Sequence, residues 1–276
     1  MKLTVQGREA YAYTGGKHFE ADVPCVVFIH GALNDHSVWA LQSRYLANHG
    51  FGVMAVDLPG HGRSAGPALE SVEKLAEWLI ELLKEAGVAR AALVGHSMGS
   101  LIALDAAARL GEAAAQLVMV GTAYPMKVSA ALLDTAVKTP LQAIDMVNSF
   151  SHSTLAAKPS APGPGSWLRG GARALMRRLQ ASYAGHHHGA NLFHLDFSVC
   201  NNYARGLEAA AQVRCPALMV LGDKDQMTSP KSTSELSRLL KARVTLVAAG
   251  HSLMTEAPDE VLNAIASFVR HAQLTP

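Results

Sequence analysis

Short apolar runs alternate with longer amphipathic runs along most of the chain, and this alternation constrains the fold more than any other feature. The apolar runs are typical of strands and cover residues 26–29, 53–56, 91–94, 117–120, 217–221 and 244–247. The amphipathic runs predict helices at residues 37–48, 71–86, 100–110, 230–240 and 258–271. Strands that are apolar on both faces favour a parallel sheet covered by helices on both sides. The segment before residue 26 predicts one or two strands at an antiparallel edge.

The alternation stops between residues 124 and 212, where no strong strand pattern occurs. Helical patterns at 129–150 and 167–183 are separated there by a segment rich in proline and glycine, 158–165. The break follows a strand end, and ligands bind beyond the carboxyl ends of such strands. We therefore interpret 124–212 as a helical lid inserted into a core formed by 1–123 and 213–276. The alternative is an insertion that makes no contact with the site.

Composition excludes several classes of protein. The net charge is +2, 17% of residues are charged, and no basic stripe with aromatic residues predicts a nucleic-acid partner. Cys25, Cys200 and Cys215 are an odd number of cysteines without metal-ligand spacing. Cys25 and Cys215 lie in or beside apolar runs and are expected to be buried free thiols, which fits a reducing compartment. No apolar run has the length of a signal peptide or a membrane span. A cytoplasmic protein with no membrane partner is the expectation, and the oligomeric state stays unpredicted.

A Gly-x-Ser-x-Gly pentapeptide, residues 95–99, lies between the strand 91–94 and the helix 100–110. A serine in so sharp a strand-to-helix turn takes a strained backbone conformation that raises its hydroxyl above the sheet. Glycines at 95 and 99 leave room for the neighbouring strand and helix. The amino-terminal end of the helix also favours negative charge. Ser97 is therefore a candidate nucleophile.

A serine hydroxyl needs a base, and the base needs an orienting group. The chain has 13 histidines, but His251 alone follows the strand 244–247 and precedes the last helix, at the sheet edge where Ser97 emerges. The strand 217–221 runs into a loop that carries two carboxylates, Asp223 and Asp225, whereas the strand end at 120–124 has none. The acid is therefore expected in the later loop, at either position.

With these motifs the chain resembles the α/β-hydrolase superfamily. The resemblance runs from His30-Gly31 through the pentapeptide and Gly222–Asp225 to Gly250-His251, and it keeps the family order Ser, Asp, His. It implies a doubly wound sheet with a helical lid. It also implies Ser97 as nucleophile, His251 as general base and then acid, and Asp225 as the group that fixes the imidazole, with Asp223 as second choice.

The resemblance further implies an oxyanion hole formed by two backbone N–H groups, those of Ala32 and Met98. His30 is expected to brace the turn that carries Ala32, and His96 is expected to pack. The expected pocket residues are Leu33, Trp39 and Tyr124. For Trp39, a position in the core that anchors a helix is an equal alternative.

No metal and no cofactor are expected. The run His186-His187-His188 is the strongest candidate for a metal site, but consecutive side chains point in different directions. No cysteine or carboxylate lies at ligand spacing from it.

The function that the sequence favours is a serine hydrolase of the carboxylesterase type, acting on a small ester, lactone or thioester. Cofactor-free perhydrolases or haloperoxidases and carbon–carbon bond hydrolases use the same triad and stay open as alternatives. A small-molecule receptor that retains the triad is the non-enzymatic alternative. Dehalogenases and epoxide hydrolases of the superfamily use a carboxylate nucleophile, so Ser97 argues against both.

Overall fold

A computed structural model describes residues 1–153 and 167–271. Its centre is a sheet of eight strands in the order β1-β2-β4-β3-β5-β6-β7-β8. The strands are β1 (Lys2–Val5), β2 (Arg8–Tyr13), β3 (Cys25–Ile29), β4 (Gly52–Val56), β5 (Ala91–His96), β6 (Ala114–Val120), β7 (Ala217–Gly222) and β8 (Arg243–Val247). β1 and β2 pair antiparallel at one edge, β2 pairs antiparallel with β4, and the other neighbours pair parallel. The predicted α/β sheet with an antiparallel edge is confirmed.

Eleven α-helices connect or cover these strands within the described residues. They are α1 (Ala40–Ala47), α2 (Val72–Glu85), α3 (Met98–Leu110), α4 (Ala130–Lys138), α5 (Pro140–Phe150), α6 (Leu168–His186), α7 (Leu192–Asn202), α8 (Gly206–Gln212), α9 (Ser234–Leu240), α10 (Leu253–Glu256) and α11 (Pro258–His271). None of the helices described is both long and apolar enough to cross a membrane.

The chain reverses its winding direction at the centre of the sheet. β3 lies between β4 and β5, so the chain first moves to one side of β3 and then crosses to the other. At such a reversal the loops after the two central strands leave in opposite directions and open a crevice in which ligands bind. The loop after β3 and the turn after β5 are the two segments that border this crevice.

Successive side chains of the central strands point to opposite faces, and each face has its own core. On one face Val27 and Met54 belong to a cluster with residues of α2 and α3. On the other face Val26 and Phe28 pack in a cluster with residues of α1 and α11. The edge strand β8 is the exception to the expected double burial, because Val244 and Leu246, which share one face of the sheet, are exposed.

The segment 124–212 is helical where it is described, as expected, but its helices differ from the predicted ones. The single helix predicted at 129–150 is two helices, because α4 ends at Lys138 and Pro140 opens α5. Proline has no N–H to donate and so begins a helix more readily than it continues one. Helices α7 and α8 were not predicted. The predicted proline- and glycine-rich separator, 158–165, lies outside the described residues.

Candidate active site

Ser97 lies in the turn between β5 and α3 and has a left-handed backbone, with φ of 53° and ψ of −120°. A Cβ on Gly95 would lie 2.0 Å from the Gly99 carbonyl oxygen, and one on Gly99 would lie 2.4 Å from the Ile29 oxygen. Only glycine fits at either position, because backbone atoms cannot yield as a flexible side chain can. The Ser97 N–H donates to Val120 O at 3.0 Å, which fixes the strained turn to the next strand.

The loops after β7 and β8 bring Asp225 and His251 together. Nδ1 of His251 lies 2.8 Å from Oδ2 of Asp225, and the two residues are both 6% exposed. Asp225 also accepts the backbone N–H groups of Met227, at 2.8 Å, and Thr228, at 2.9 Å. Burial raises the pKa of the Asp225 carboxyl, but the charge of His251 and the donated hydrogen bonds outweigh burial and lower this pKa to about 2.

Thr228 joins this pair, and the sequence did not single it out. Its hydroxyl lies 2.6 Å from Oδ2 of Asp225 and 3.0 Å from Nδ1 of His251. The hydroxyl donates to the carboxylate and so helps to hold it in place. Its position three residues after Asp225 in the same short loop is the signal by which it could have been found.

Of the two acids left open by the strand positions, the structure brings Asp225 to His251. Asp223 is exposed to solvent, and its backbone N–H donates to Val247 O at 2.9 Å. The loop thus turns the earlier carboxylate outward and the later one inward.

A cavity of about 220 Å³ borders Ser97 and His251 and is also lined by the described parts of the segment 124–212. Most of its wall is apolar, and most of that wall comes from this segment: Met126, Val128, Leu132, Met146, Val147, Phe150, Phe197 and Cys200. A smaller cavity of about 60 Å³ borders Ser97 on the side of His96. The segment therefore contacts the candidate site.

Ser97 and His251 share both cavities, but within the described chain their side chains are not joined by a hydrogen bond. Such bonds are often long in unliganded enzymes and tighten when substrate binds.

The expected oxyanion donors are the backbone N–H groups of Ala32 and Met98. Ala32 lines both cavities beside the serine, and Met98 is the first residue of α3. The first N–H groups of a helix have no partner within the helix. Among the described residues, neither N–H donates to another protein group. The Ala32 N–H is therefore available to an acceptor in the cavity, whereas Met98 is fully buried and is not among the residues that line either cavity.

His30 braces the loop that carries Ala32, as expected. Its Nδ1 donates to Gly31 O at 2.8 Å, and its Nε2 accepts the Leu58 N–H at 3.1 Å. Burial lowers the pKa of His30 to about 4, aided by the nearby His61, so the ring is neutral at pH 7.

His96 lies against the back of His251. Its Nε2 is 3.0 Å from His251 O, and the two ring centroids are 4.8 Å apart. Burial and the neighbouring His251 lower the pKa of His96 to about 3. This neutral ring packs behind the site, which agrees with the expected packing role.

The three expected pocket residues lie outside the walls of the two cavities at Ser97. Leu33 is fully buried in the core, and Trp39 is fully buried with its ring 5.1 Å from that of Phe28. Tyr124 points its hydroxyl to Ala204 O at 2.6 Å. Met126 and Val128, two and four residues after Tyr124, line the larger cavity instead.

No group of three or more metal-ligating side chains occurs within residues 1–153 and 167–271. Of the histidine run, Nδ1 of His186 donates to Ser182 O at 2.7 Å, and the ring centroid of His187 lies 4.3 Å from that of Tyr183. His186 and His187 border a separate surface cavity rather than the ones at Ser97.

The chain belongs to the alpha/beta hydrolase family, whose sequence profile matches residues 26–264. It is 24% identical to the (E)-2-((N-methylformamido)methylene)succinate hydrolase of Acinetobacter baylyi, over 88% of this chain and 89% of that protein. Among solved structures it is similar to an esterase from Exiguobacterium antarcticum, with a TM-score of 0.81, 16% identity and coverage of 98% and 99%. The enol-lactonase of Burkholderia xenovorans matches with a TM-score of 0.78, 22% identity and coverage of 98% and 100%. Family and relatives identify the chain as a hydrolase, and a small-molecule substrate follows from this.

Proposed function

We propose that this hydrolase cleaves a small carboxylic ester, lactone or thioester through an acyl intermediate on Ser97. One observation carries the proposal: a serine in a strained strand-to-helix turn shares a cavity with a histidine whose Nδ1 is bonded to a buried carboxylate. Asp225 follows Ser97 by 128 residues in the sequence and His251 follows it by 154, so local structure alone does not bring the three side chains together.

The arrangement supports a sequence of steps in which every proton is accounted for. The Nδ1–H of His251 donates a hydrogen bond to Asp225 and keeps its proton, so the lone pair of Nε2 is left for the Ser97 hydroxyl. Ser97 Oγ attacks the carbonyl carbon while Nε2 takes its proton. His251 then returns that proton to the leaving alcohol or thiol as the acyl bond breaks. Water repeats the steps on the acyl-serine and releases the acid and free Ser97.

The N–H groups of Ala32 and Met98 are the proposed donors to the oxygen that becomes negative in each tetrahedral intermediate. Removal of one such donor in other hydrolases costs about 10²–10³ in rate. The helix α3 adds the positive end of its dipole on the same side.

An apolar acyl group of modest size fits the larger cavity, whose walls carry three methionines, counting Met227, and two phenylalanines. The segment 124–212 is the proposed lid, because it supplies most of that wall. The names of the similar proteins, which include an esterase and an enol-lactonase, are compatible with this substrate class.

A fluorophosphonate probe and a panel of p-nitrophenyl esters, thioesters and lactones test the proposal. Wild type should label at Ser97, as read by peptide mass spectrometry, and should turn over many equivalents of ester. The Ser97→Ala variant should fold, remain unlabelled and lose at least ~10³-fold in turnover. A retained activity above about a tenth of wild type would show that Ser97 is not the nucleophile.

The same esters, with hydrogen peroxide added, separate two of the alternatives. A receptor that keeps the triad would release at most a few equivalents of p-nitrophenol. A perhydrolase would transfer the acyl group to hydrogen peroxide faster than to water, and the peracid would be detected directly.

A further inference from the structure

A buried carboxylate from the proposed lid reaches the loop that carries Ala32. Asp196 lies on α7 and is 1% exposed, and its Oδ2 accepts the backbone N–H of Leu33 at 2.7 Å. The same oxygen lies 2.8 Å from Nε2 of His61, which is 2% exposed. Oδ2 of Asp196, an atom of the proposed lid, thus contacts both the loop after β3 and the loop after β4.

Leu33 needs such an anchor because its backbone is strained. Its φ is 51°, in the left-handed region that residues other than glycine rarely adopt. The residue is fully buried, so its N–H would lose a hydrogen bond without compensation if Asp196 were absent. The charged acceptor makes this a strong bond and offsets the cost of the strained turn.

Two peptide planes determine where the Ala32 N–H points. The first plane contains Gly31 O and the Ala32 N–H, and His30 holds it through that carbonyl. The second plane contains Ala32 O and the Leu33 N–H, and Asp196 holds it through that N–H. Ala32 lies between the two planes, so both contacts contribute to the direction of its N–H. Asn34 Nδ2 also donates to Ala32 O at 3.1 Å, and Asp196 is the contact to this plane that comes from the lid.

We propose that Asp196 is a positioning residue for the reaction, which fixes the oxyanion-hole loop at Ala32 from the lid by accepting the Leu33 N–H. This inference rests on the proposed function. It makes the lid part of the machinery that stabilises the transition state, in addition to forming the wall of the substrate cavity. Asp196 itself touches neither Ser97 nor the cavity at Ser97.

Asp196 and His61 also form a buried ion pair, and a purely structural role for this pair is the competing explanation. Burial lowers the pKa of His61, but the Asp196 carboxylate outweighs burial and raises this pKa above its usual value. Loss of one partner from such a pair is destabilising, whereas replacement of both by apolar groups is often tolerated. The test therefore compares variants that share a neutral residue at position 61.

The two double variants His61→Phe/Asp196→Leu and His61→Phe/Asp196→Asn are matched. Both lack the ion pair, but asparagine keeps an acceptor oxygen for the Leu33 N–H and leucine does not. On p-nitrophenyl butyrate we expect kcat of the leucine variant to fall about 10–100-fold below that of the asparagine variant, with KM within about threefold. The rate of Ser97 labelling by the fluorophosphonate should fall in parallel.

Thermal unfolding and circular dichroism report whether both variants fold. If the leucine variant does not fold, Asp196→Asn is compared with wild type by amide hydrogen exchange. The amides of residues 31–35 should stay protected from exchange in this variant, and its kcat should change less than about tenfold. Asp145→Asn is a lid control, because Asp145 pairs with Arg173 on the surface and lines neither cavity at Ser97. It should retain the wild-type kcat.

Equal kcat values for the two folded double variants would overturn the inference, as would a loss that appears in KM alone. Loss of protection at 31–35 in Asp196→Asn with unchanged kcat would overturn it too. Wild type and Ser97→Ala are measured alongside. If wild type fails to label at Ser97, the proposed function fails. If wild type labels and the double variants are equal, only the role of Asp196 fails.

Discussion

Nδ1 of His251 lies 2.8 Å from the carboxylate of Asp225, and this contact determines which ring nitrogen is left for chemistry. A carboxylate with a pKa of about 2 is ionised at pH 7 and can only accept, so the Nδ1 carries the proton. The other nitrogen, Nε2, is then the acceptor. The same carboxylate takes hydrogen bonds from the loop that follows it, so its own orientation is fixed before substrate arrives.

Asp225→Asn should lower kcat by about 10³–10⁴-fold, because an amide can donate to Nδ1 and so stabilise the wrong tautomer. Asp223→Asn is the matched control, since it makes the same chemical change in the same loop at an exposed position. It should stay within about threefold of wild type in kcat. Steady-state kinetics on p-nitrophenyl butyrate measure both, and the reverse order would transfer the role to Asp223.

The glycine at position 99 is predicted to be irreplaceable for a steric reason. A Cβ there would lie 2.4 Å from Ile29 O and 2.5 Å from His30 O, both backbone atoms. Gly99→Ala should lower the free energy of unfolding by at least about 2 kcal/mol and disturb the Ser97 turn. Urea denaturation followed by circular dichroism measures this loss.

Gly171→Ala is the control for that substitution. Gly171 lies on the exposed side of α6, and a Cβ there would meet no atom within 4 Å. Alanine should stabilise the protein by about 0.5–1 kcal/mol, because glycine costs that much inside a helix. Equal losses for the two variants would refute the steric account of position 99.

Much of this architecture was predictable because the signals are local. The strands β3 to β7 are apolar on both faces, and the glycines around Ser97 mark a turn that tolerates no side chain at 95 or 99. His251 was located by its place after a strand, because the ends of parallel strands meet at one edge. These features depend on a few neighbouring residues and on the rules of parallel sheets.

The details of the lid and of the cavity depend on distant contacts. Leu33 was expected at the pocket, but its strained backbone takes the side chain into the core, where Asp196 holds it from 163 residues away. A lone carboxylate within the mostly apolar helix α7 was the available sign that a buried partner existed. The sequence does not identify that partner, because only the packed lid brings Asp196 to the two loops.

The buried histidine behind the site predicts a loss of stability in mild acid. His96 has a pKa of about 3 in the folded chain and an ordinary value near 6.5 once unfolded, so only the unfolded chain takes up a proton between these limits. Stability is therefore lost as pH falls below about 6.5, by about 2 kcal/mol at pH 5 from this residue. The variant His96→Asn should lack this contribution.

Chemical denaturation of wild type and His96→Asn at pH 7.5 and pH 5 isolates the effect. The difference between the two proteins removes contributions from His30, whose pKa is also lowered, and from His61, whose raised pKa acts in the opposite direction. The wild type should lose about 2 kcal/mol more than the variant. Parallel losses would show that His96 is protonated in the folded protein.

The apolar wall of the larger cavity predicts a preference among acyl chains. Each buried methylene is worth about 0.8 kcal/mol, so kcat/KM should rise about fourfold per carbon from acetate until the cavity is filled. Leu132 lies on that wall, and Leu132→Trp removes part of the space. This variant should lose at least about tenfold in kcat/KM on the hexanoate ester and stay within about threefold on acetate.

Leu41→Trp makes the same change on the exposed side of α1, away from both cavities at Ser97, and should leave the chain-length profile unchanged. A uniform loss for Leu132→Trp at every chain length would mean that the acyl group does not enter this cavity, and the smaller cavity beside His96 would then be the acyl site to test.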